Sequence, residues 1–208
     1  MLALVALVIG VSAGSAEAAT RRRPRHVTSR AKPVQPAPVA APAKPRYTDA
    51  QFQALGVQQK CDAAHSLIRF APSPWPIVCI VEQATRYAGM TFAPTRIELY
   101  VYTGESQAEL ARTMAHELGH MVEWFRARQP ANATARQSEW WAARGLNDRC
   151  WAPDFGCMNT WWGSGSEDFA ETFARWQFPT TDWRATTPVP TAAQVAALAP
   201  AFFTGPLS

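Results

Sequence analysis

Met114-Ala115-His116-Glu117-Leu118-Gly119-His120-Met121-Val122-Glu123-Trp124-Phe125 is the stretch from which the rest of this 208-residue chain is read. In a helix, residues four apart share a face. His116 and His120 would then aim two imidazoles at one point, as a pair of Zn²⁺ ligands does. Glu117, beside the first of them, would be placed to take a proton from a water on the metal. The chain has only four His. Two of them at this spacing around a Glu favour a metal site over a surface helix that carries them by chance.

The flanks support a helix. Ser106-Gln107-Ala108-Glu109 has the form of a capping box, with Ser106 as N-cap. Leu110, Met114, Leu118 and Met121 recur at helical spacing and predict a buried stripe. Arg126 and Arg128 suit the negative end of the helix dipole, and Pro130 stops the helix. Gly119 costs about 1 kcal/mol relative to Ala in mid-helix. That points to close approach of another backbone, or to ordinary helix–helix packing.

Two imidazoles do not complete a catalytic metal site, which has three protein ligands and one open position. A third His in the pattern H-E-x-x-H-x-x-G-x-x-H is excluded, because Glu123 and Arg126 stand at the Gly and His positions. The remaining source is a carboxylate from a later helix, and Ser166–Phe178 reads as that helix, with Pro179 ending it. Glu167, Ala170, Glu171 and Ala174 share one face; Phe169, Phe173 and Trp176 favour another. Small alanines beside the two Glu would let this helix lie close against the His helix. Glu167 is the expected third ligand. Glu171, one turn on, would accept a hydrogen bond from a ligating His and fix its tautomer. Asp168 or Glu171 could exchange roles with Glu167, and Glu167 could instead cap its own helix through Ser164-Gly165-Ser166-Glu167.

His116–His120 followed by Glu167-Asp168-Phe169-Ala170-Glu171 resembles the gluzincin metallopeptidases, which use two His and a downstream Glu. The long gap and the E-x-F-A-E form are most similar to the catalytic domain of the anthrax lethal factor type. The resemblance covers about residues 96–178. It implies an α+β, zincin-like domain, mostly helical, with a small sheet whose edge strand precedes the His helix. It implies Zn²⁺ on His116, His120 and Glu167, Glu117 as catalytic base, and a peptide or protein substrate. One departure stands out. The group places a Tyr shortly before the Glu ligand, and Thr160–Ser166 contains none. Another oxyanion donor, such as Tyr100 or Tyr102 from the strand, would have to serve, or the activity would be weak.

Arg96–Tyr102 alternates, with Ile97, Leu99 and Val101 on one side and Glu98, Tyr100 and Tyr102 on the other, which predicts a half-buried strand. Lying just before the His helix with one edge free, it could hold an extended peptide along Leu99, Tyr100, Val101 and Tyr102. An ordinary edge strand is the alternative. Thr48-Asp49-Ala50-Gln51 should open a helix whose Phe52 and Leu55 face the core, and Thr191 should cap a last one. Ile77–Val81 reads as a buried strand or a helix start, Thr85–Ala88 as helical, and Ala133–Arg144 as a helix ending at Gly145. Leu146–Gly165 is a long connection of the kind that forms walls or lids. His65 reads as structural, and the nine Trp as packing rather than sugar-stacking residues.

Leu2–Val11 is apolar and Ala16-Glu17-Ala18 is an A-x-A-like cleavage site, so residues 1–18 read as a signal peptide, though without the basic n-region. A retained N-terminal anchor is the alternative. Residues 19–46 form a basic, Pro- and Ala-rich linker that cannot bury a core. It carries eight Lys or Arg and no acid, so the chain's formal +4 misleads: from Tyr47 onward twelve basic residues face fifteen acidic ones, a net of −3. That argues against a nucleic-acid partner. The linker could touch an anionic cell-envelope polymer or lipid surface, or act as a solvated tether. Residues 47–208 suffice for one domain. Four cysteines behind a signal sequence predict two disulfides, by proximity Cys61–Cys79 and Cys150–Cys157. The expectation is a secreted or cell-envelope zinc endopeptidase. A non-catalytic zinc-stabilised envelope module and a peptidoglycan stem-peptide hydrolase are the alternatives.

Overall fold

The helix that carries His116 and His120 begins where its sequence demands. The Ser106 hydroxyl accepts from the Glu109 amide at 3.2 Å while the Glu109 carboxylate accepts from the Ser106 amide at 2.8 Å, closing the capping box. This is seen in a computed structural model that describes residues 46–69, 73–81, 87–146, 150–151, 163–178 and 182–204. The expected leader and nearly all of the linker lie outside the described residues. So do Cys157, Trp161, Trp162 and the first two residues of the helix expected over Thr85–Ala88; the other two, Tyr87 and Ala88, are not helical.

Among the described residues the fold is α+β, with six α-helices and a three-stranded sheet. The elements are α1 (Asp49–Gln53), α2 (Val57–His65), β1 (Ile77–Val81), β2 (Gly89–Phe92), β3 (Arg96–Val101), α3 (Gln107–Glu123), α4 (Ala133–Arg144), α5 (Gly165–Gln177) and α6 (Ala192–Leu198). α3 runs on into a π-helical turn, Trp124–Arg128, and α6 into another, Ala199–Phe203. Thr48 and Thr191 cap α1 and α6 as expected.

The sheet corrects one expectation. Its order is β1-β3-β2, so β3 is the central strand, parallel to β1 and antiparallel to β2. Neighbouring strands flank β3 on both sides, so Leu99, Tyr100 and Val101 belong to a central strand and not to a free edge, and Tyr102 follows it outside the sheet. The alternation itself is as predicted: Ile97, Leu99 and Val101 are buried. What the sequence concealed is β2, four residues that include a glycine and supply the outer edge.

The core is built from the apolar stripe of α3 and an aromatic cluster. Leu110, Met114, Leu118 and Met121 are fully buried. Trp140 of α4 packs at 4.5 Å on Phe169 of α5 and edge-on to Phe202 at 5.2 Å, while Phe173 and Trp176 meet Phe203. Trp140, Trp141 and Trp151 are thus packing residues, in line with the sequence expectation. The predicted Cys61–Cys79 disulfide joins α2 to β1. Cys150 is also disulfide-bonded.

α3 and α5 form the most intimate helix pair, and Gly119 is the reason they can. A Cβ built there would lie 2.7 Å from Ala170 Cα and 2.9 Å from Ala170 O. These are backbone atoms that cannot swing aside, so the glycine marks a close backbone approach. Gly119→Ala should therefore push the helices apart. A stability loss of about 1–3 kcal/mol, read by urea unfolding, should accompany weakened metal uptake, because the two helices carry the residues described next.

Candidate metal centre

His116 and His120 lie one turn apart on α3, and α5 delivers Glu167 opposite them. His116 Nε2 and His120 Nε2 are 3.1 Å apart. Glu167 Oε2 lies 3.4 Å from the first and Glu167 Oε1 3.4 Å from the second. A tetrahedral site with metal–ligand bonds of about 2.0–2.1 Å has donor–donor edges of roughly 3.3–3.4 Å. The two imidazole–carboxylate separations match that edge, each through its own oxygen of Glu167, and the imidazole–imidazole separation is slightly shorter. They form the only group of three or more His, Cys, Asp or Glu donors among the described residues that could hold a metal ion. Glu167 Oε2 is buried and accepts no hydrogen bond, an orphaned acceptor of the kind a cation satisfies. The expected Glu167 placement is therefore observed: its amide is capped by Ser164 Oγ at 3.3 Å while its side chain stays turned to the imidazoles.

The same geometry decides between the three acids of α5. Glu171 Oε1 lies 2.8 Å from His116 Nδ1, the orienting position proposed for it. It is held there by Arg112, whose Nη2 reaches both carboxylate oxygens at 2.7–2.8 Å, and by the Arg184 amide at 3.3 Å. Arg112 in turn meets Asp182 at 3.0 Å. Asp168 faces the other way and is fully buried. It pairs with Arg144 at 2.8 and 2.9 Å, with Trp140 Nε1 at 2.8 Å and with the Thr187 hydroxyl at 2.6 Å. It is a structural anchor that lies outside the three-donor group.

Glu117, buried on the next position of α3, is held by β2. The Thr91 hydroxyl donates its one proton to Oε2 at 2.7 Å and also lies 2.9 Å from the Glu117 main-chain carbonyl. Gly89 lies against it so closely that a Cβ there would come within 2.7 Å of Glu117 Cγ. The two tyrosines considered as oxyanion donors are engaged elsewhere. Tyr100 Oη is 3.4 Å from Glu98 Oε2, and Tyr102 Oη donates to the Tyr87 carbonyl. Leu99 and Val101 belong to the core.

Four partners escaped the sequence reading: Arg112, Glu123, Ser166 and Thr91. Glu123 is completely buried and accepts from Trp151 Nε1 at 2.6 Å and from Ser166 Oγ at 3.2 Å; Ser166 Oγ is also 3.2 Å from His120 Nδ1. A signal was present for two of them. Arg112 stands four residues before His116 in an apolar helix, and Glu123 three after His120 within Met121–Phe125, places where a charge needs a reason.

Charge balance sets how the centre responds to pH. Burial opposes ionisation of Glu171, but the His116 contact and Arg112 outweigh it and bring its carboxyl down to about 2. Burial likewise disfavours a charged His120, yet adjacent Glu167 raises it to about 9 in the metal-free protein; Glu167 is itself lowered by the two imidazoles. Because Glu171 is depressed, its contribution is present above the ordinary Glu value of about 4.5 and lost as pH falls toward about 2. Because His120 is raised, its contribution is present below about 6.5 and lost as pH rises through about 9. The metal-free protein should be most stable between those limits, as chemical unfolding across pH 2–10 would show. Metal uptake should strengthen with rising pH, since an imidazole must lose its proton to bind a cation.

No protein-family model, no curated protein and no solved structure matches this chain. The disulfide marks an oxidising environment. No helix among the described residues is long and apolar enough to cross a membrane.

Proposed function

We propose that this chain is a zinc-dependent endopeptidase of the gluzincin type, exported to the cell envelope or beyond. The observation that carries the reading is the convergence of His116 Nε2, His120 Nε2 and Glu167 on one point, with Glu117 close enough for its charge to act on His120. Two imidazoles and one carboxylate suit zinc, and three protein ligands leave a position for solvent. When bound there, zinc supplies a Lewis acid and lowers the pKa of its water to about 7.

The chain's own residues do the rest. Thr91 ties down Glu117 Oε2, leaving Oε1 to accept the proton of the attacking water. Glu117 then returns that proton to the leaving amine. Glu171 holds the ring of His116 so that Nε2 faces inward. β2 ends the sheet beside Glu117, and its outer edge, rather than that of β3, is where an extended substrate would add.

The test is hydrolysis of an unstructured protein by the purified chain, together with its metal content. Stoichiometric zinc and turnover abolished by a chelator are expected. Turnover that survives complete metal removal would refute the proposal. Stoichiometric zinc without turnover on either casein or purified cell wall would favour a non-catalytic envelope module.

A further inference from the structure

Glu123 contributes nothing to the three-ligand arrangement, yet it is a fully buried acid one turn beyond His120. Burying a carboxylate is unfavourable unless its oxygens are satisfied; burial raises the Glu123 carboxyl, and partners on both oxygens oppose that rise. Trp151 Nε1 donates to Oε1 at 2.6 Å, Ser166 Oγ donates to Oε2 at 3.2 Å, and Arg128 Nε stands 3.7 Å from Oε1. The Ser166 oxygen is at the same time 3.2 Å from His120 Nδ1. A serine hydroxyl has one proton to donate. Directed at the carboxylate, it leaves the oxygen only the acceptor role toward the ring. When the ring is neutral, as a metal ligand must be, Nδ1 then carries its proton and the lone pair is left on Nε2, which faces His116 Nε2 and Glu167.

We propose that Glu123 is a positioning residue that acts through Ser166 to fix the tautomer and orientation of His120 for metal binding. The proposal rests on the metal-centre reading above and extends it to the second histidine. The two imidazoles are supported differently: His116 meets the carboxylate of Glu171 directly, while His120 meets its carboxylate through a hydroxyl. The hydroxyl is itself held from the backbone, because the Ser166 amide donates to the Trp151 carbonyl at 2.7 Å and the Gly165 amide to the Cys150 carbonyl at 3.1 Å. Trp151 thus grips both ends of the relay, its carbonyl on Ser166 and its indole on Glu123.

Zinc affinity of the full chain, measured by competition with a chromogenic chelator, tests the relay. Ser166→Ala should weaken zinc binding about 10–100-fold, and Glu123→Gln should do the same. The double variant should be no weaker than the worse single one, since both changes cut one connection. Losses that multiply, or unchanged affinity in Ser166→Ala, would overturn the proposal. A second readout stands even if Glu123→Gln fails to fold. In the zinc-loaded protein the His120 Nδ1 proton should give a slowly exchanging NMR signal that disappears in Ser166→Ala; an equally protected signal in that variant would contradict the relay. A wild-type chain that takes up no zinc would overturn both this inference and the peptidase reading, whereas zinc uptake with any of the adverse results above would overturn the relay alone.

Discussion

Glu117→Gln should leave zinc content unchanged and lower turnover by roughly 10²–10⁴-fold, the usual contribution of a positioned acid–base group. The substitution preserves shape, which matters at this position. Glu117 is packed against the Cβ-less Gly89 and tied to Thr91, so a larger or shorter side chain would disturb β2 as well. Gln keeps an oxygen for the Thr91 hydroxyl and loses only the capacity to take a proton. Glu117 is outside the three-donor group, so metal uptake should not follow activity. Initial rates on unfolded casein, with metal analysis of the same sample, separate the two effects. Turnover at the wild-type rate in this variant would remove Glu117 from the mechanism and leave the metal centre without a base.

Arg144→Ala should be the most destabilising single change, at about 3–5 kcal/mol. The side chains of Arg144 and Asp168 are 1% and 0% exposed. Removing the guanidinium leaves a carboxylate in the core with only the Trp140 indole and Thr187 hydroxyl to satisfy it. It also frees the Pro188 carbonyl, which accepts from Arg144 Nη2 at 2.6 Å. Three parts of the chain come loose at once: α4, the first turn of α5 and the segment leading to α6. Against a total stability of about 5–15 kcal/mol, such a loss should be plain in urea unfolding. At low temperature, where the variant remains folded, it should still bind zinc. Loss of metal in a demonstrably folded Arg144→Ala protein would argue that Asp168 has a role at the centre after all.

The parts of this fold that announce themselves in the sequence are those governed by local rules. Capping boxes at Thr48, Ser106 and Thr191, the apolar stripe of α3 and the glycine after Arg144 all operate within a few residues. The centre was legible for a related reason. His116, Glu117 and His120 are bound to one helical turn, and Glu167 and Glu171 to another, so the side to which each points follows from helix period. What was hidden depends on residues far apart in the chain. Nothing in Arg96–Val101 shows that β1 and β2 both pair with it, because strand order is set by the packing of the whole sheet. β2 is short and contains a glycine, since Glu117 needs the room, and so it carries no alternating strand pattern. Asp168 was a credible ligand by position alone; only its encounter with Arg144, 24 residues away, identifies it as an anchor.

The pinch at the start of α5 has a practical consequence. Cys150 and Trp151 bond through their carbonyls to the amides of Gly165 and Ser166, so both ends of the intervening stretch are fastened side by side before Glu167 is reached. The start of α5 is thereby set by main-chain bonds that no side-chain substitution at positions 165 or 166 removes outright, short of proline, so its register against α3 does not depend on the metal-binding side chains it carries.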